Sequence, residues 1–184
     1  MADTMLHTAI TAVQRGDEGF YRVLDALPAA VYVTNAGGVI TYYNRACIAF
    51  AGRTPLIGQD SWCVTWKLYT EDGRFLPHDQ CPMAVALRER RAIRGVEAVA
   101  ERPDGTRRNF LPYPTPLLDG DGKLVGAVNM LIDVTDRNQA RALRAQAVKC
   151  RRLAAAISDH QTTNTLNSMA VEYEEQALKL ERSN

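Results

Sequence analysis

Four cysteines and three histidines are the residues of this chain best suited to chemistry. Thiolates and imidazoles bind metals or act as nucleophiles and bases, but only where spacing or folding gathers them. Cys47, Cys63, Cys81 and Cys150 include no CxxC pair and the histidines are scattered, so a zinc site is not expected. No Ser-His-Asp set or HExxH run occurs either, and the chain reads as a non-enzyme. One local pair stands out: His78 lies just ahead of Cys81-Pro82, a Cys-Pro pattern used by some haem-responsive sites. The plainer account is that Cys81 ends a loop and Pro82 opens a helix. The DGDGK of 119–123 has the look of a calcium loop, yet Lys123 stands where an oxygen ligand is needed, so it reads as a turn.

These residues sit in a chain of 184 residues with 46% apolar composition, enough for one ordinary domain and a helical extension. Lys plus Arg number 22 and Asp plus Glu 21, for a net charge of +1. That balance supplies no broad field for nucleic acid or an anionic membrane. No apolar run is long enough to span a bilayer and the start lacks the layout of a secretory signal, so a cytoplasmic location with no membrane insertion is expected. In such a reducing compartment the thiols stay free.

The elements follow from changes of period. Residues 1–19 carry an amphipathic leader helix with Leu6, Ala9, Ile10 and Val13 on one stripe, and Asp17 is suited to cap a second helix that Pro28 ends. AAVYVTN and VITYYN flank Ala36-Gly37-Gly38 as a hairpin. Asn44 caps the short helix RACIAF, which Gly52 closes. The turn-rich stretch from Gly52 to Cys81 predicts irregular chain with one helical turn, and Pro82 begins the helix MAVALRERR. Three β runs, RGVEAVAER, RRNFLPYPTPLL and KLVGAVNMLIDVT, are joined by Asp-Gly turns into an antiparallel meander. Beyond Asp136, Ala140, Leu143, Ala147, Cys150, Ala154 and Ile157 alternate steps of three and four, as do Leu166, Ala170, Tyr173, Ala177 and Leu180. SDHQTTN between them predicts two helices. Six basic and no acidic residues between Arg137 and Arg152 then face Glu172, Glu174, Glu175 and Glu181 in an antiparallel hairpin, within one subunit or exchanged with another.

This order resembles a PAS domain of the bacterial signalling type. The residues that carry the likeness are LDALPAAVYVTNAGGVITYYN at 24–44, GRTPLIGQDSWC at 52–63, CPMA at 81–84 and ERPDGTRRNFLPYPTPLLDGDGKLVGAVNMLIDVTDR at 101–137, with Asp133-Val134-Thr135 at the end. The resemblance implies an α+β fold: a five-stranded antiparallel PAS-type sheet with helices on one face, here assigned to 20–136, followed by a helical hairpin over 137–184. It also implies a cavity between sheet and helices, and an Asp-x-Thr that couples the last strand to the next helix. Asp133 and Thr135 have short side chains that bond backbone groups where strand becomes helix, which serves such coupling and ordinary capping equally.

Flavin-binding relatives need a cysteine in an Asn-Cys-Arg-Phe-type run, which none of the four cysteines occupies, so a flavin adduct is not expected. Haem is carried in related domains by a histidine on the helix that here begins near Met83; that helix has none, which leaves His78 with Cys81 as the haem candidates. On the last strand Val128, Met130 and Ile132 share one face and Ala127, Asn129 and Leu131 the other. We read Asn129 as inward, its amide asking for a ligand or water partner, with Trp62, Trp66, Met83 and Leu87 as the helical wall of a site for a small organic ligand. His160 opens HQTTNTL, which resembles the phosphoacceptor box of one class of bacterial histidine kinases, but no Gly-rich phosphate loop is present, so autophosphorylation is not expected. The expectation is a stand-alone sensory or interaction module and homodimer, modulated by ligand or partner. Its competitors are a ligand-free dimeric adaptor on a histidine kinase or response regulator, and a haem sensor.

Overall fold

A computed structural model describes residues 18–182, together with Thr4 and Ile10. The leader helix of 1–19 and the cap at Asp17 lie outside the described residues. The chain divides into two compact units, 1–133 and 134–184, each treated by itself below.

In the first unit, α1 (Glu18–Asp25) leads into the hairpin β1 (Ala30–Asn35) and β2 (Ile40–Tyr43), and α2 (Arg45–Ala51) follows at once. Asn44 makes this compact succession work. It is fully buried, and its Oδ1 accepts from the N–H of Val31 at 2.9 Å and of Cys47 at 3.3 Å. Its Nδ2 donates to the carbonyls of Leu24 and Ala29, both at 2.9 Å. One side chain therefore caps α2, holds the start of β1 and bonds one carbonyl of the last turn of α1 and one of the segment that links α1 to β1. Gly52 ends α2 in the left-handed conformation with φ 65°, the usual role of glycine there.

Beyond α2 come β3 (Lys67–Thr70), a 3₁₀ turn at His78–Gln80, α3 (Pro82–Glu89), β4 (Ala98–Glu101), β5 (Arg107–Pro112), β6 (Thr115–Leu118) and β7 (Leu124–Asp133). All pairings are antiparallel, and the lateral order is β2-β1-β7-β5-β4-β3 with β6 also on β7. The sheet is thus one strand wider than the five implied by resemblance, because β3 occupies a stretch expected to be irregular. β5 and β6 form one continuous register along β7, with Pro112 opposite Leu131 and Thr115 opposite Val128. Tyr113 turns its N–H to the Met130 carbonyl at 2.9 Å. Alternation then points Pro112, Pro114 and Pro116 at the other edge, past the end of β4, where a missing donor breaks no ladder.

The sheet has a core on each face. Tyr32, Ala127 and Leu131 share the inner one with Cys47, Phe50, Met83, Ala84 and Leu87 from α2 and α3. Val31, Val33, Val128 and Met130 share the outer one with Leu24 of α1, and Ile10 packs on it. Apolar cover on both faces departs from the expected one-sided arrangement and explains why β7 reads as an almost unbroken apolar run.

In the second unit, α4 (Thr135–Ala156) and α5 (His160–Arg182) pack together as the expected hairpin. The seam is built of small residues, with Ala147, Cys150 and Ala170 buried against Leu166 and Tyr173. Arg144 meets Glu181 at 2.8 Å and Arg151 meets Glu174 at 2.6 Å, so the basic helix does face the acidic one. Being exposed and screened by solvent, these pairs set orientation more than stability. Asp159 caps α5 by accepting from the Thr162 N–H at 2.8 Å.

Asn44→Ala removes four buried hydrogen bonds; the Leu24 carbonyl and the Cys47 N–H keep a second backbone partner, whereas the Val31 N–H and the Ala29 carbonyl lose the partner that Asn44 supplied. The expected outcome is a loss of roughly 3 kcal/mol, read as a lower urea midpoint of unfolding followed by circular dichroism.

Candidate functional site

The inner face of β1 presents Tyr32 directly opposite Asn129 of β7. Both are buried, and they hydrogen bond: Asn129 Nδ2 donates to the Tyr32 hydroxyl at 3.0 Å, and Asn129 Oδ1 accepts from the Tyr113 N–H at 2.9 Å. The Tyr32 hydroxyl in turn donates to the Trp62 carbonyl at 2.9 Å. Asn129 is therefore inward, as read from the sequence, but both its oxygen and its nitrogen have partners within the protein. Burial pushes the Tyr32 hydroxyl well above its ordinary pKa, helped by the nearby Cys63 and Cys81 thiols, so it stays a neutral donor.

Trp62 closes the relay with a backbone of unusual shape. Its φ is 69°, a left-handed conformation costly for a bulky residue. Its N–H donates to the Gly38 carbonyl at 2.7 Å, and a Cβ added at Gly38 would lie 2.3 Å from the indole ring. The β1–β2 turn thus needs glycine at that point for contact as well as for its φ of 84°. A cleft of about 380 Å³ opens beside the indole, lined by Ala36, Trp62, Asp79, Ala84, Leu87 and Arg88.

The other predicted site residues are dispersed. Met83, Leu87 and Leu131 lie in the inner core. Trp66 corrects the sequence reading: it is 52% exposed and forms no part of an interior wall. His78 turns Nε2 to the Thr65 hydroxyl at 3.4 Å, whereas the Cys81 thiol points at the Trp62 carbonyl 3.9 Å away. Burial depresses the His78 pKa, chiefly by desolvation, and pushes the Cys81 thiol up to about 12. A protonated thiol and an imidazole with separate partners do not make a haem-ligating pair. Among the described residues no group of three or more His, Cys, Asp or Glu is placed to hold a metal ion. Asp133 ends β7 with its carboxylate 3.4 Å from Arg108, and Thr135 opens α4 two residues later. His160 is exposed at the first turn of α5.

Sequence reasoning missed Tyr32, Asp79 and Arg88. Tyr32 carried a faint signal as the one phenol of its strand, between two valines; the cleft residues come from turns and a helix whose juxtaposition no local pattern encodes.

A family profile described as PAS fold matches residues 24–139. No curated protein matches the chain. Among solved structures, the chain is similar to an RNA-binding light-oxygen-voltage receptor at 18% identity and a TM-score of 0.47, over 69% of this chain and 35% of that one. It therefore spans about a third of that receptor's length. It is similar to the PAS domain of the fruit-fly ELK potassium channel at 18% identity and 0.49, over 68% of this chain and 95% of that one. For a light-oxygen-voltage domain studied with a flavin analogue the values are 13% and 0.50, over 73% and 98%.

Two outcomes follow from the buried relay. Tyr32→Phe leaves the Trp62 carbonyl and the Asn129 amide short of a partner and should cost about 1–2 kcal/mol in urea unfolding. The Cys81 thiol lies above its ordinary value of 9.0 in the folded state, so its contribution to stability is complete below about pH 9 and is lost as pH rises toward 12. Alkylation by iodoacetamide at pH 8 should be slow at Cys81 until urea unfolds the chain, as mass spectrometry of the peptides would show.

Proposed function

The chain belongs to the PAS-fold family, and on that premise we propose that it is a non-catalytic sensory and interaction module of bacterial signal transduction, acting in the cytoplasm. A small molecule or a partner engages the first unit, and the change passes from β7 through Asp133, Val134 and Thr135 into the helical hairpin. The observation that carries this reading is the junction itself: the strand at the centre of the sheet ends at Asp133 and the helix begins at Thr135, with Val134 alone between. A displacement of β7 has no slack in which to dissipate. Among the described residues, no helix is long and apolar enough to cross a membrane.

The output is association of two copies through the hairpin. Val148 at 64% exposure and Val171 at 49% leave apolar surface on both helices, and a groove lined by Ala142, Leu143 and Leu180 runs between them. A ligand-free adaptor that docks on a histidine kinase or response regulator is the second reading. It draws support from the relay, in which Tyr32 and Asn129 are already partnered without a ligand.

Native mass spectrometry of freshly purified protein separates the two. The expected species is a dimer with a retained small molecule; a bare dimer favours the adaptor, and a bare monomer overturns both. A chain ended after Asp136 should be monomeric by the same measurement.

A further inference from the structure

The cleft beside Trp62 has a chemical character that narrows what it can hold. Its floor is apolar, formed by the indole with Ala84 and Leu87, while its rim carries the carboxylate of Asp79 and the guanidinium of Arg88, both exposed. Neither rim residue takes part in an ion pair among the described residues, although other exposed charges pair, such as Arg91 with Glu89 and Arg107 with Glu101. Asp79 belongs to the turn before α3 and Arg88 to the last turn of that helix. Helical side chains lean toward the N-terminus, the direction in which Asp79 lies from Arg88, and both residues line the same cleft. Opposite charges held apart on one rim are complementary to a molecule that carries both charges itself.

A second feature lies in β1, just ahead of the turn that gives the cleft its Ala36. Thr34 of β1 is 1% exposed, and its Oγ1 is the one buried side-chain oxygen or nitrogen without a hydrogen-bond partner among the described residues. It sits two residues before Ala36, on the face that Tyr32 shares.

We propose that this cleft binds a small zwitterion of the free amino acid class, with its ammonium group at Asp79, its carboxylate at Arg88 and its side chain against Trp62 and Leu87. The inference rests on the reading of the module as ligand-responsive and names the ligand chemistry. A volume of about 380 Å³ lies in the lower part of the range for small-molecule sites, which suits a molecule of that size.

The test is a ¹⁵N-correlation NMR titration of the full chain with an equimolar mixture of the twenty amino acids, then with each alone. The Trp62 indole resonance is assigned by Trp66→Phe. A saturable shift of that resonance is expected, with affinity falling about tenfold or more in Asp79→Asn and in Arg88→Gln. Arg91→Gln, on the same segment but outside the cleft, should leave it unchanged. No saturable shift with any amino acid, or equal affinity in the rim variants, overturns the proposal. A retained molecule of different chemistry would overturn it while leaving the sensory reading intact. Amino acid binding that alters neither the dimer nor the hairpin resonances would uphold the site and overturn the transmission.

Discussion

The amide of Asn44 is the constraint on which the first unit depends. Three elements converge within a few residues there, and Asn44 bonds backbone groups of each: a carbonyl in the last turn of α1 and one in the segment after it, the Val31 amide of β1 and the Cys47 amide of α2. A single planar group with two donors and two acceptor directions meets all of them, and few other side chains of that size could. The alignment has consequences further along. By fixing where β1 starts, it fixes which residues of β1 face inward, since a slip of one position would send Tyr32 and Thr34 to the outer face and bring Val31 and Val33 in.

From that register the interior polar chain follows. Tyr32 lands opposite Asn129, and the Tyr32 hydroxyl meets a carbonyl that only the left-handed backbone of Trp62 turns inward. The conformational cost at Trp62 is of order 1–3 kcal/mol, and it is offset by the bonds that its backbone makes to Gly38 and Tyr32. The same turn of chain lays the indole beside the cleft. The strained residue and the candidate binding surface are thus one feature, which is where strain is characteristically found in proteins that bind small molecules.

Much of this was legible beforehand, and the exceptions have physical reasons. The caps, the glycine turns and the helix start at Pro82 are local devices, and local devices are what sequence displays. The order of elements carried the likeness to a PAS domain, and the seam of the hairpin was plain from its alternating steps. β3 was not, because KLYT is short, lies at the edge of the sheet and owes its form to β4, some thirty residues onward. Trp66 was misread for a related reason: aromatic residues are mostly interior, and only the strand that follows it shows that this one faces water. The expectation that Asn129 waits for a ligand failed to foresee Tyr32 as its partner, at a separation of 97 residues. Thr34 is the converse, a hydroxyl in a strand that favours threonine, whose lack of a partner appears only in three dimensions.

The hairpin seam has a mechanical corollary. Alanine has no side-chain torsion to relax, so Ala147, Ala170 and Ala177 cannot absorb a push by switching rotamer, as a leucine zipper can. Rotamer freedom in the seam is left to its other members, Cys150, Leu166 and Tyr173. At the alanines the spacing of the two helices is therefore set by backbone and Cβ contact alone, so the hairpin has fixed points of closest approach built into its sequence.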